Sequence, residues 1–397
     1  MGKINLFLIG LLGPEFLLPI ALGQWSSARA SVKRFRKAGY EHWTLTHTYF
    51  ADMGGFLLQS PGSDMFPIDA TQLFCLVQDG FIVYPECDVE DIQDKCKSGD
   101  MSSFQTIRFS HHIRVIAVLQ ALWFLINCII RLAQRLFLTT FELTTLSFIL
   151  IFFVTSFCWK DKPKDVSRAI ILTTDTPIDT IRSKYHPFPE ETWYQTPLAF
   201  LSREERVSSR LWRYYVQILH YLYIPIFARP CTKPYDHFPS DTSLPTDRTA
   251  EIIGAPIILF FTCIFTFAWH FEFPTPAEKL LWRIAAVYQI IFGLVGGLGV
   301  IYADTIVLPH TREKSVSFDY SPTGRLAWLA WKLRNIHPDR DPDLTIPLKA
   351  LLPFTLLCIG YCFSRTYILM EDLVGLRRLP ESAFQVGSWT MYIPHWL

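Results

Sequence analysis

Four ionisable side chains stand where their surroundings make them either costly or chemically useful: His47, Asp52, Glu142 and Arg365. His47 and Asp52 belong to one short stretch with Thr44, Thr46 and Thr48, closed by Gly54-Gly55. Histidine titrates nearest neutrality, so His47 is a candidate general base, with Asp52 a further candidate residue of the same site. On a helix the two are about 140° apart around the axis, whereas Thr48 and Asp52 share a face. The competing reading is a buried, hydrogen-bonded structural histidine beside a tight turn. Glu142, flanked by Thr139, Thr140, Thr144 and Thr145, and Arg365 both fall inside strongly apolar runs, as do Glu15 and Asp304. Charge inside a bilayer must be paired or serve a function. Arg365 paired with Glu15 or Glu142 would fix helix packing and nothing more.

Apolar runs must position these groups. A bilayer core needs roughly 20 apolar residues per helical crossing, because no water there satisfies the backbone. Such runs cover residues 4–24, 113–130, 136–159, 252–270, 284–308 and 348–370. The expectation is an all-α polytopic transmembrane helix bundle of about six spans, with 1–397 as a single membrane domain. Residues 43–58 and 212–227 are partly apolar but contain His47, Asp52, Arg213 and His220, and read as interfacial or buried helices. If they crossed, the count would become seven or eight. The first run precedes Arg29, Lys33, Arg34, Arg36 and Lys37, the reverse of the basic-then-apolar order of a secretory signal. A signal cleaved after Gly23 is the alternative. Basic residues near the spans place 39–112, 160–251 and 310–347 in the cytosol and the N-terminus on the opposite side. Arg131, Arg135, Arg377 and Arg378 oppose this scheme, and snorkelling accommodates the first pair.

Composition narrows the function. Half of the 397 residues are apolar and 18% are charged, while Lys+Arg at 37 nearly cancel Asp+Glu at 36. With a net charge of +1 there is no global field to recruit nucleic acid. Nine cysteines without a C-x-x-C give no zinc ribbon or disulfide framework, and no metal or cofactor motif is evident. Asp339, Asp341 and Asp343 mimic a calcium loop, but Leu344 and Ala350 occupy its Gly and Glu positions. Asp175 and Asp179 have the spacing of a diphosphate-binding pair, and Pro177 interrupts the helix such pairs use. His270 and Glu272 supply only two local ligands, so a loop-capping role fits them better. Gly293 and Gly297 read as a small-x-x-x-small packing face.

A set of landmarks carries a resemblance. They include Trp43-Thr44-Leu45-Thr46-His47, Asp52-Met53-Gly54-Gly55-Phe56, Phe141-Glu142-Leu143-Thr144-Thr145 and Trp159-Lys160-Asp161-Lys162-Pro163. Further along come Phe273-Pro274-Thr275-Pro276, Glu278-Lys279-Leu280-Leu281-Trp282-Arg283, Ser364-Arg365-Thr366-Tyr367 and Leu376-Arg377-Arg378-Leu379-Pro380. With these the chain resembles a family of filamentous-fungal polytopic integral membrane proteins of unknown activity. Similar proteins carry an additional N-terminal span and a Cys/Trp/His-bearing segment ahead of the first run here. The resemblance implies a fungal source, a multi-pass location in the endoplasmic reticulum or plasma membrane, and an accessory place in secondary metabolism. Two function classes follow. One is an accessory or tailoring factor acting within the bilayer on a lipophilic terpenoid or polyketide-type metabolite, through His47, Asp52, Glu142 and Arg365 among aromatic walls. The other is a non-enzymatic transporter, channel, sensor or scaffold, although no internal repeat or charged pore stripe is visible. Membrane lipids and a lipophilic small molecule are the expected partners.

Overall fold

The structure is a computed structural model. It describes residues 10, 13–96, 103–163, 166, 168–186, 192–202, 206–223, 233–238, 244, 246–309 and 324–385, with backbone alone for 93–95 and 103–113. Its helices are α1 (Pro14–Lys37), α2 (Leu45–Asp52), α3 (Ala70–Gln78), α4 (Val89–Lys95), α5 (Ser103–Ala133), α6 (Thr140–Cys158), α7 (Ile178–Tyr185) and α8 (Val207–Tyr221). They continue with α9 (Arg248–Cys263), α10 (Pro276–Tyr302), α11 (Arg325–Arg334) and α12 (Leu348–Val374). Three short strands, β1 (Phe56–Gln59), β2 (Phe66–Ile68) and β3 (Ile170–Thr173), are the exception to a largely all-α chain.

Five stretches among the described residues are long and apolar enough to cross a membrane: Arg114–Ala133, Thr140–Cys158, Arg248–His270, Pro276–Val307 and Leu348–Arg377. They coincide with the five later runs of the sequence. Part of the first run, 4–24, lies outside the described residues. Its remainder does not stop at residue 24, because nothing between Gln24 and Lys37 breaks a helix. α1 therefore continues through the whole basic cluster and ends where Gly39, at φ 95°, turns the chain. The link between α5 and α6 closes similarly: Arg135 takes a left-handed φ of 55°, and the Leu136 amide donates to the Arg131 carbonyl at 2.9 Å.

The apolar half of α1 is sealed inside the bundle. Leu18, Ala21 and Leu22 share a core with Leu143 and Ile151 of α6, Phe261 of α9 and Phe265 just after it, Trp282 and Ala286 of α10, and Ile368 of α12. Gly293 lets α9 approach, since a Cβ there would sit 2.8 Å from the Thr262 methyl. Gly297 faces nothing within 4 Å, so the expected two-glycine seam reduces to one contact. Gly360 is a second close approach. A Cβ on it would overlap the Tyr288 hydroxyl, which donates to the Leu357 carbonyl at 3.0 Å.

The basic half of α1 leads into a packed module that an all-helical expectation did not contain. Phe35, Trp43, Phe50, Phe56, Leu58, Phe66, Ile68 and Leu73 form its core, with Trp43 stacked on Phe35 at 4.1 Å. The 43–58 segment is thus neither a span nor a surface helix: it is buried α2, a turn at Gly54 (φ 82°) and β1. β1 pairs antiparallel with β2 (Phe56 opposite Ile68) and parallel with β3 (Phe56 opposite Ile170), giving the order β2-β1-β3. β1 precedes the α5–α6 hairpin and β3 follows it, so one sheet joins the two ends of the hairpin. The other ambiguous segment, 212–227, is α8 as far as Tyr221, with 224–227 outside the described residues. α8 packs Val207, Leu211 and Tyr214 against Ala303, Ile346 and Leu351.

Candidate functional site

The four sequence candidates fall at three separate places. His47 sits in the first turn of α2, where Thr44 is the N-cap. Its Nδ1 is 2.7 Å from the Thr44 hydroxyl and accepts from the Thr44 amide at 3.3 Å. Its Nε2 is 2.8 Å from the Cys87 carbonyl. A carbonyl only accepts, so Nε2 carries the proton. Burial pushes the imidazole's pKa down, against the Cys87 carbonyl and the Asp88 charge, and favours the neutral ring. Both nitrogens are engaged, and the ring pegs α2 to the segment before α4.

Asp52 points elsewhere. Its Oδ1 accepts from the Ala70 amide at 3.1 Å, at the start of α3. That terminus already has a cap: Asp69 Oδ1 accepts from the Thr71 and Gln72 amides at 2.8 and 2.9 Å, and the Ser202 hydroxyl donates to Asp69 Oδ2. Two carboxyls therefore share one helix N-terminus. Burial first, then the Asp69 charge, raise Asp52 to about 7, opposed by the Ala70 amide, Lys162 and Arg34. Lys162 is lowered to about 8 by burial, with Asp52 opposing. Its Nζ donates to Gln24 Oε1 at 2.7 Å, as does Trp159 Nε1 at 3.0 Å, and it lies over the Trp159 ring. This polar knot ties the module to α1 and to the end of α6.

An acid raised in the folded state binds a proton there that the unfolded chain releases. Stability from Asp52 is therefore fully present below 3.8 and falls as pH rises towards about 7. Lys162 acts in the opposite sense and only above pH 8 or so, where its folded-state proton leaves first. The melting temperature of the detergent-solubilised protein should drop between pH 5 and pH 7.5. Asp52→Asn keeps an acceptor for Ala70 and should flatten that drop, gaining about 1–2 kcal/mol at the upper end after solvent screening. An unchanged slope in Asp52→Asn contradicts the assignment.

Glu142 belongs to the α5–α6 turn, and the expected contact with Arg365 is not made. Its Oε2 accepts from the Thr139 amide at 2.9 Å and its amide donates to the Thr139 hydroxyl at 3.1 Å, a capping box. Its Oε1 pairs with Arg131 at 2.7 Å, and Arg131 also donates to the Phe137 and Ala383 carbonyls at 2.7 and 3.0 Å. The turn's arginine thus has a local charge partner. Asp304 is likewise a helix cap, accepting from the Val207 amide at 2.7 Å where α8 begins.

Arg365 marks a polar cluster inside the bundle. Its guanidinium lies 5.1–5.5 Å from the ring centres of Phe148, Phe261 and Phe265. Glu15 and Asp372 are both close enough to feel its charge, and Asp372 lies beside the Thr140 and Thr144 hydroxyls. The Tyr361 hydroxyl donates to Glu15 Oε1. One turn on, Gln289 Nε2 donates to the Ser364 hydroxyl at 3.2 Å, and Ser364 donates to the Ala285 carbonyl at 3.0 Å. Glu15 Oε2 and Gln289 Oε1, on residues 6% and 0% exposed, have no hydrogen-bond partner among the described residues. Phe16, Phe292 and Tyr361 pack ring against ring beside them, the last two 4.3 Å apart.

Sequence reasoning misses Tyr361, Gln289 and Asp372 and meets Ser364 only as part of a landmark. A helical wheel from Arg365 would have collected Tyr361 and Asp372 on its face, at four and seven residues. His270 ends the short 3-10 stretch after α9, and the side chains of His111 and His112 are outside the description.

Residues 21–183 match the profile of a family of unknown function (DUF8562). The matched stretch runs from within α1 through the sheet module and the α5–α6 hairpin into α7. No curated protein and no solved structure is significantly similar to the chain.

Proposed function

We propose that this chain is a fungal multi-pass protein of the endoplasmic reticulum or plasma membrane that binds a lipophilic small molecule within the bilayer. On this reading it serves as an accessory or tailoring factor for a terpenoid or polyketide-type metabolite. The observation that carries the reading is the junction of α1, α10 and α12. There two acceptor oxygens, Glu15 Oε2 and Gln289 Oε1, lie unbonded among the described residues near the Phe16, Phe292 and Tyr361 rings, and Glu15 feels the Arg365 charge. Such rings accept an apolar skeleton, and the two oxygens accept from a ligand hydroxyl. His47, Asp52 and Glu142 act in the fold, so the working residues on this reading are Glu15, Gln289, Tyr361 and Arg365.

A second reading, a non-enzymatic sensor, scaffold, channel or transporter, is favoured by His47, whose two nitrogens are both engaged and leave no free base. Photo-crosslinking with a hydroxylated, diazirine-bearing isoprenoid in nanodiscs tests the site. Label should map to α1, α10 and α12 and fall in Gln289→Leu, while Asn335→Ala labels normally. Label spread evenly over lipid-facing helices defeats the site. Gene deletion with metabolite profiling separates the readings: an accumulated precursor supports tailoring, and an unchanged metabolome with retained labelling supports the second.

A further inference from the structure

Helix α11 reads Arg-Leu-Ala-Trp-Leu-Ala-Trp-Lys-Leu-Arg, and the described residues leave it almost bare. Leu326 is 84% exposed, and Trp328, Leu329, Trp331 and Leu333 are exposed as well. A helix of this length is marginal in water by itself, and so many uncovered large apolar side chains call for a covering surface. Its pattern names that surface. At 100° per residue, Leu326, Leu329 and Leu333 fall within about 60° of one another. Arg325 and Lys332 lie on one flank of that stripe and Arg334 on the other. No acidic residue lies within the helix; Asp339, Asp341 and Asp343 come after its end. On the opposite side of the helix Lys332 also covers Trp328 at 5.1 Å, and one further cation, Arg340, lies over Trp331 at 3.5 Å.

Position supplies the second argument. The Ile346 amide donates to the Arg334 carbonyl at 2.9 Å, and the Asn335 amide group donates to the Asp341 carbonyl at 2.7 Å and the Thr345 hydroxyl at 3.2 Å. These bonds hold the end of α11 against the chain just before Leu348, where the apolar stretch of α12 begins. The leucine stripe between basic flanks, fixed at the mouth of a span, fits the plane of a headgroup layer, with Trp328 and Trp331 on the side of the helix away from the leucines. We propose that α11 is an interfacial helix that binds acidic phospholipids, with its leucines in the acyl boundary and Arg325, Lys332 and Arg334 on headgroup phosphates of the leaflet where α12 enters. The partner is the bilayer that surrounds the protein, and the charge complementarity commits it to anionic lipid.

Hydrogen exchange of the full chain in nanodiscs tests this, with phosphatidylcholine alone or mixed with phosphatidylserine. Amides of 325–334 should exchange about tenfold more slowly with phosphatidylserine, and the difference should shrink in high salt. The triple variant Arg325→Glu, Lys332→Glu, Arg334→Glu should lose the phosphatidylserine effect and keep the protection given by phosphatidylcholine. Leu326→Ser, Leu329→Ser, Leu333→Ser should lose both, with unchanged exchange in the module core as the check on folding. Equal exchange in the two lipids overturns the acidic-lipid assignment. Full protection already in detergent, insensitive to lipid, overturns membrane docking altogether.

Discussion

Gly360→Val is expected to lose most of its folded fraction in detergent extracts. Even an added Cβ overlaps the hydroxyl and ring of Tyr288, and that ring is held by its bond to the Leu357 carbonyl. A tyrosine moves as one rigid plate, so either the ring leaves its rotamer or α10 and α12 separate. Overpacking of this kind costs about 1–3 kcal/mol, and a β-branched side chain adds to it, against a total stability of about 5–15 kcal/mol. The cause is separable from a general intolerance of the site. Gly360→Ala with Tyr288→Phe should recover little, since the ring itself is in the way, whereas Gly360→Ala with Tyr288→Ala should recover most of the folded yield. Size-exclusion profiles after a heating series measure both. Equal recovery by the two pairs would show that the clash is not with the ring.

Arg365→Ala should fail more completely than any single substitution on the exposed helix α11, with Arg325→Ala as the control. Removing the guanidinium strands Glu15 and Asp372 inside the bundle and leaves three phenyl rings facing a cavity. Breaking a buried charge arrangement from one side costs about 3–5 kcal/mol. Adding Glu15→Gln to Arg365→Ala relieves one of the stranded acids and should restore part of the yield. Arg365→Leu with Glu15→Gln should do better still, because the leucine fills space. Equal extracted yields of Arg365→Ala and Arg325→Ala contradict this account.

Sequence periodicity located the five later apolar stretches to within a few residues, except that the fourth begins at Pro276 rather than 284 and the fifth ends at Arg377 rather than 370, because apolar length is set by the bilayer and does not depend on tertiary contacts. The module was not legible for the opposite reason. β1 and β3 are four residues each and lie on either side of the hairpin, so their pairing is a long-range fact that no local window contains. Among the site residues, Arg365 was found because charge in an apolar run stands out. Its companions Tyr361, Gln289 and Ser364 are unremarkable in composition and become a site only when α10 and α12 cross. The capping role of Glu142 was readable: Thr139 followed three residues later by Glu142 is a helix-start signature.

The parallel pairing of β1 with β3 also imposes a schedule on biogenesis. When β1 leaves the ribosome its β3 partner has not been made, and the whole α5–α6 hairpin must be synthesised before Ile170 can meet Phe56. At ordinary elongation rates that interval is on the order of ten seconds, during which β1 presents an unpaired edge. If α5 and α6 cross a bilayer, the sheet can close only when both have inserted and β3 has returned to the side that holds β1.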